Sequence, residues 1–461
     1  MPAAGGLVSM LMPLAAQSNV TWFCCVSEPP DARHAQRGLF TTAADQADPS
    51  LHVVPIPLPA EMYHAYYGQI SNEVLWMLQH RVIGPSGFGQ LDHDRHDAWE
   101  QGYLAANARM AEVIRESCFN VRAFLIQDYH LYPLPALLRP SFPDTPIAHF
   151  THIPFPDPSL MRLLPGAWRE AILNGMLGAD VVGLQTERDV HAFMKCCESF
   201  VNVTVDRASG VVVGVDGRRV IVRAYPASVE LEELARCMAS PAVARARVRV
   251  VPRMGEMRVI RVDRLDPSKN QLIGFRAFGR LLELRSDLRS RVRFSAFLVP
   301  SRTDLSIYRA YRDEIYACIA EINDRYPRPD GTPVIDVFYT NNREQALAAM
   351  EECDVLLVNS LQDGMNLVAK EWALISRRPG VLVLSETVGV ADDAKGAALL
   401  VSPLDVDGTA QALAQALDMP ELERRGRLDT MRRRVQSWTA DDWLSAQLRD
   451  LGVAASLGPA T

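Results

Sequence analysis

The chain has no Cys-x-x-Cys pair among its eight cysteines (Cys24, Cys25, Cys118, Cys196, Cys197, Cys237, Cys318 and Cys353), and none is spaced with histidine as a zinc site requires. That excludes a structural zinc module, and reduced, buried, apolar cysteines of a cytoplasmic protein are expected. No run of about 20 apolar residues occurs, so no transmembrane helix is expected. The apolar opening, Met1 to Gln17, precedes the first basic residue, Arg33, and so lacks the basic start of a signal peptide; export is rejected. Blocks of like charge are absent too, and the formal net charge is −7. A mildly acidic chain of this kind gives no reason to expect nucleic acid or an anionic membrane as partner. Any phosphate binding must be local. There is no internal repeat and no low-complexity segment.

What is present is the composition of a globular protein, 48% hydrophobic and 22% charged over 461 residues. This length exceeds one core and suggests two or three domains. Short apolar runs alternate with helical periodicity in both halves, which predicts an α/β fold with parallel sheets. A linker is expected near Ala224 to Glu230, giving an N-terminal domain over 1–229 and a C-terminal domain over 230–461.

The most informative stretch is Asn359 to Glu371. It follows a buried strand, Val355 to Val358, and enters a helix, Leu367 to Ile375. A turn of this kind lies at the carboxyl edge of a parallel sheet, where free N–H groups of the first helical turn favour a phosphate or a sugar hydroxyl. Gly364 lets the backbone approach a ligand, and Glu371 is suited to a vicinal diol such as a ribose. An ordinary αβ connection fits these residues equally well.

Further candidates share this placement. A strand, Val121 to Gln127, ends at Asp128-Tyr129-His130, and the next, Ile147 to Thr151, ends at His152. Consecutive strands would put Asp128 and His152 at the mouth of one sheet. In the second half the strand Val259 to Val262 runs into Asp263 to Asn270, where Arg264 and Lys269 lie five apart across a strand-to-helix turn. Both cations can there converge on a diphosphate. Two cations on a loop are otherwise usually a solvated patch. Tyr67 and Trp76, nine apart, taken alone suit a core better than a ligand site.

Several of these stretches together resemble the trehalose-6-phosphate synthase family, retaining glycosyltransferases of the GT-B type with two Rossmann-like domains facing across a cleft. Asp363-Gly364-Met365-Asn366-Leu367-Val368-Ala369-Lys370-Glu371 is similar to the family's donor signature, Asp128-Tyr129-His130 and His152-Ile153-Pro154-Phe155-Pro156 to two further motifs, and Tyr66 to Trp76 to its acceptor segment. Arg264-Leu265-Asp266-Pro267-Ser268-Lys269-Asn270 resembles the diphosphate clamp, with Pro267 for Tyr and Asn270 for Gly. Asn tolerates a left-handed backbone, so the turn is expected to survive. Asn359, Ser360, Leu361 and Gln362 stand where the family has Thr-Pro-Leu-Arg, and Cys24-Cys25 where it has Gly-Trp, which should widen the acceptor pocket. Gly5 and Gly6 match the pair that approaches the donor diphosphate, but the strand and arginine that precede them are missing. A start codon assigned too late is the favoured explanation over a true truncation, because a lost central strand leaves backbone groups unpaired.

The resemblance implies transfer of a hexosyl group from a UDP- or GDP-linked sugar to a sugar phosphate, without a cofactor or a metal ion. Catalytic roles are implied for Asp128, His152, Arg264, Lys269 and Asp363. Donor contacts are implied for Gly5, Gly6, Arg264, Lys269, Asp363, Gly364, Met365, Asn366, Leu367, Val368 and Glu371, and acceptor contacts for Tyr67, Trp76, Asp128 and Arg302. The last helix, about 438–451, is implied to pack back on the first domain. Partners are small molecules, a sugar nucleotide and a sugar or cyclitol phosphate, and a homo-oligomer stays open. Two rival readings remain: a pseudo-glycosyltransferase coupling a nucleotide-linked cyclitol to an amino-cyclitol phosphate, similar to the validoxylamine phosphate synthases, and an inactive sugar-nucleotide binding protein.

Overall fold

The computed structural model describes residues 20–27, 51–84 and 87–453. Gly5 and Gly6 lie outside the described residues. The chain divides into two compact units. The first holds the described residues up to Gln79, then Ile83–Ala227 and the segment from Ala440 onward; the second holds His80–Val82 and Ser228–Thr439.

In the first unit, Val20–Val26 (β1) and Leu51–Pro57 (β2) form a parallel pair. A separate six-stranded sheet comprises Phe124–Gln127 (β3), Ile147–Phe150 (β4), Val181–Leu184 (β5), Val203–Asp206 (β6), Val211–Gly214 (β7) and Arg219–Ala224 (β8), in the order β3-β4-β5-β8-β7-β6. Strands β3, β4, β5 and β8 run parallel. The expectation of parallel sheets throughout is corrected by β6, β7 and β8, which pair antiparallel. Gly210 (φ +68°) and Gly217 (φ +79°) supply the left-handed backbone that these tight reversals need. The Asp216-Gly217 dipeptide was a legible turn signal. Strand β3 is also shorter than Val121 to Gln127, because its ladder begins only where Phe124 meets Ile147, the first residue of β4.

Some helices in this unit start at side-chain caps. Thr186 accepts from the Asp189 amide and opens Glu187–Phe200, whose Val190, Phe193, Met194 and Cys197 are buried on one face. The Tyr66 to Trp76 segment is helical too: His64–Leu75 winds as a wide π-helix and continues as an α-turn, Trp76–Gln79. It packs on a second π-helical stretch, Ala98–Leu104, at Gly102, where a Cβ would meet the Ala65 Cβ at 2.5 Å.

The second unit is a doubly wound, wholly parallel sheet. Its strands are Met257–Arg264 (β9), Val292–Val299 (β10), Ile335–Tyr339 (β11), Val355–Val358 (β12), Val381–Ser385 (β13) and Leu399–Val401 (β14), in the order β11-β10-β9-β12-β13-β14. The winding reverses between β9 and β12, and in open sheets of this type ligands bind beyond the carboxyl ends at the reversal. All four residues of β12 and seven of the eight in β10 are buried, as strands covered on both faces must be. Helices Gln271–Leu284 and Val406–Asp418 cover the sheet through Phe275, Phe278, Leu281, Leu413 and Leu417.

Candidate active site

The reversal between β9 and β12 brings the two strongest candidate turns of the sequence together. β9 feeds Leu265–Asn270 and β12 feeds Asn359–Asn366. Between them the Lys269 ammonium lies 2.5 Å from the Asp363 carboxylate, with both residues more than nine-tenths buried. Asp363 also accepts from the Asn366 carboxamide (3.0 Å) and from the Gly364 amide (3.0 Å). Burial alone would push this carboxyl up; Lys269 and then His80 more than offset it and hold it below its usual range. The backbones are joined as well, since the Leu361 amide donates to the Ser268 carbonyl.

Two left-handed residues shape these turns. Asn270 (φ +56°) caps the helix Gln271–Leu284, so the asparagine adopts the conformation a glycine would supply. Asn366 (φ +65°) caps Leu367–Ile375, accepting from the Ala369 amide at 3.2 Å. The amides of Leu367 and Val368 stand at the open N-terminus of that helix, whose dipole favours an anion. Gly389 lies directly against the turn: its amide donates to the Asp363 carbonyl, and a Cβ there would fall 1.6 Å from the Gly364 carbonyl oxygen. Met365 is buried, and its carbonyl accepts from Val390.

The remaining candidates of this unit have partners of their own. Glu371 is bound to Arg343 at 2.9 Å, and Arg343 also holds Glu233 at 2.8 Å. Burial raises the Glu371 carboxyl, with Arg343 opposing. Arg302 (φ +46°) donates to Asp266 (2.9 Å) and to the Tyr308 hydroxyl (2.5 Å). Asp266 is wholly buried; burial acts to raise its carboxyl, but Arg302 and then Arg264 hold it well below the usual range. Arg264 lies at the end of β9, its carbonyl accepting from Gln271.

In the first unit, Asp128 and His152 follow neighbouring strands, and the His152 amide donates to Asp128 at 3.0 Å. Asp128 has φ +74°, a conformation that costs about 1–3 kcal/mol in a non-glycine residue and persists only when its surroundings hold it. The His152 ring contacts the Gln127 carboxamide (2.8 Å), and burial, with His149 adding, lowers its pKa to about 3, so it is neutral near pH 7. Tyr67 is 37% exposed and stacks on the His130 ring at 5.4 Å, whereas Trp76 is only 5% exposed and packs on Tyr129. Asn72 ties these together, donating to the Tyr67 carbonyl and accepting from the Tyr129 hydroxyl. Cys25 lies in β1, half-buried, and burial, with Cys24 adding, raises its thiol to about 12.

Sequence reading missed the residues that brace these groups. Arg261, wholly buried, pairs with Asp263 at 2.7 Å and donates to the Lys269 carbonyl at 2.9 Å. An arginine in the middle of a strand was the available signal. Arg343, Glu233 and Gln127 gave none, because each is an ordinary polar residue until the fold supplies its partner. Among the described residues no group of three or more His, Cys, Asp or Glu is placed to hold a metal ion, and no helix is long and apolar enough to cross a membrane.

Residues 1–452 match Glycosyltransferase family 20. The chain is 32% identical over 466 residues to the trehalose-6-phosphate synthase of Mycolicibacterium smegmatis, covering 98% of this chain and 88% of that protein. It is 31% identical over 391 residues to a bifunctional trehalose-6-phosphate synthase/phosphatase of Thermoproteus tenax, covering 84% of this chain but only 52% of that longer protein. Among solved structures it is similar to an alpha,alpha-trehalose-phosphate synthase (UDP-forming) from Burkholderia xenovorans in complex with glucose-6-phosphate, with a TM-score of 0.85, 30% identity, and coverage of 98% and 97%.

Proposed function

The chain belongs to glycosyltransferase family 20, and from that premise we propose that it transfers glucose from UDP-glucose to glucose 6-phosphate with retention at the anomeric carbon. It is a glycosyltransferase of the GT-B fold, moving glucose from a nucleotide sugar to a sugar phosphate. The uridine donor and glucose 6-phosphate acceptor are inferred from the Burkholderia relative. The observation that carries the reading is the Lys269–Asp363 pair at the β9/β12 reversal, because it joins a cationic turn to a helix N-terminus where a sugar diphosphate needs both.

The roles follow from charge. As the bond between the anomeric carbon and the diphosphate oxygen breaks, negative charge grows on the leaving group. Arg264 and Lys269 neutralise it, each preorganised cation contributing roughly 3 kcal/mol of barrier lowering. The amides of Leu367 and Val368, at the open helix N-terminus, hold the donor phosphate and sugar hydroxyls, and Glu371, oriented by Arg343, takes the ribose. The acceptor hydroxyl attacks from the face the diphosphate leaves, and its proton passes to a leaving phosphate oxygen. Asp363, already bound to Lys269, is not free to form a glycosyl ester, so the two-carboxylate scheme of retaining glycosidases is not adopted. In the first unit Asp128, neutral His152 and Tyr67 are the groups assigned to sugar contacts. Trp76, largely buried, backs that surface through Tyr129, and Arg302 stands for the acceptor phosphate.

A cytoplasmic location is proposed on the eight free cysteines. Neither a cyclitol-coupling activity nor an inactive binding role is favoured by any of these contacts. The deciding experiment is a panel of nucleotide sugars against sugar and cyclitol phosphates, read by mass spectrometry. The expected product is a disaccharide phosphate from UDP-glucose and glucose 6-phosphate; turnover only with cyclitol substrates would overturn the reading.

A further inference from the structure

The second unit takes in three residues far from the rest of it in sequence, His80–Val82. Arg81 sits there with φ +58°, a left-handed backbone that costs a non-glycine residue about 1–2 kcal/mol and so must be held by what it touches. What it touches is the donor turn: the Arg81 Nε donates to the Gln362 Oε1 at 2.5 Å, across 281 positions of sequence. Gln362 is 6% exposed and lies between Leu361, whose amide is bonded to the Ser268 carbonyl, and Asp363, the partner of Lys269. The adjacent His80 is wholly buried and acts electrostatically on Asp363.

We propose that Arg81 is a positioning residue for the donor turn, supplying through Gln362 the guanidinium that the family motif carries at position 362 itself. A glutamine is what this arrangement requires. Its carboxamide oxygen accepts from Arg81, whereas an arginine at 362 offers donors only and would set two guanidinium groups against each other. One cation therefore serves the turn, and it can come from either position but not from both. This rests on the proposed UDP-sugar reading.

The test is UDP binding by calorimetry together with steady-state kinetics on UDP-glucose and glucose 6-phosphate. Arg81→Ala should weaken UDP binding and raise the donor KM by about tenfold, the worth of one charge-assisted hydrogen bond, with the acceptor KM unchanged. Gln362→Arg alone should do the same. The double variant Arg81→Ala/Gln362→Arg should return close to parental values, which a merely structural role for Arg81 does not predict. Arg81→Met, which keeps the side-chain stem, carries the same readout if Arg81→Ala unfolds. A double variant no better than the worse single, or an Arg81→Ala and an Arg81→Met that both bind UDP as the parent does, overturns the proposal. A parental protein that binds no UDP overturns both this and the donor reading, so the two failures are told apart.

Discussion

Asn270 and Asn359 are each other's partners: the Asn270 carboxamide donates to the Asn359 carbonyl at 3.0 Å, and the Asn359 carboxamide donates to the Asn270 carbonyl at 3.1 Å. Both positions depart from the family pattern, one in the clamp and one before the donor signature. Asn270 also donates to the Pro403 carbonyl, so it pins three segments of the reversal. Asn270→Gly and Asn359→Thr should each lower stability by about 1 kcal/mol, and the double variant by clearly less than their sum. Urea unfolding of the four proteins measures the coupling; strict additivity would show that the two departures do not compensate.

Removing either clamp cation should act on turnover. Arg264→Ala and Lys269→Ala are each expected to lower kcat by two or more orders of magnitude, since each acts on charge that grows as the diphosphate departs. Lys269→Ala should also lower the melting temperature, because it strands Asp363 as a buried carboxylate. With two cations on the diphosphate, activity should persist in EDTA. Near-parental rates in both variants, or activity lost in EDTA and restored by Mg²⁺, would refute the clamp.

Gly389→Ala is expected to push the donor turn out of place, because its methyl group would overlap the Gly364 carbonyl oxygen and neither atom sits on a flexible side chain. UDP affinity should fall at least tenfold, as a shift of the turn costs more than 1.4 kcal/mol. Circular dichroism checks that the fold survives, and unchanged UDP binding by Gly389→Ala would contradict the assigned approach.

His149 predicts acid sensitivity of the first unit. It is wholly buried, and burial lowers its pKa to about 3, against about 6.5 unfolded. Below pH 6.5 the unfolded chain takes a proton that the native state declines, so stability is full above that pH and falls as pH drops towards 3. At pH 5 the loss from this residue is ~2 kcal/mol relative to pH 7. His149→Met should therefore narrow the difference between urea midpoints at pH 7 and pH 5. An unchanged difference would show that the histidine is protonated in place.

The sequence by itself determined the class of fold and much of the donor site. Helix Leu367–Ile375 and strand β12 fall where the hydrophobic pattern places them, because buried parallel strands and their following helices write continuous apolar runs and a 3.6-residue period into local sequence. The left-handed Asn270 was legible for the same reason, since conformational preference belongs to the residue. The antiparallel β6 and β8 were passed over because they mix polar with apolar residues and lack the continuous apolar run of a strand covered on both faces, although Asp216-Gly217 marked one reversal. Only the tertiary structure decided which polar residue meets which: Asp363 with Lys269, Glu371 with Arg343, Arg302 with Asp266, Gln362 with Arg81. These pairs join positions 28 to 281 apart, and a hydrogen bond between side chains leaves no periodic trace in either segment. Burial raises the Glu371 carboxyl, whereas Lys269 and Arg302 hold the buried Asp363 and Asp266 low, surroundings that only the fold supplies.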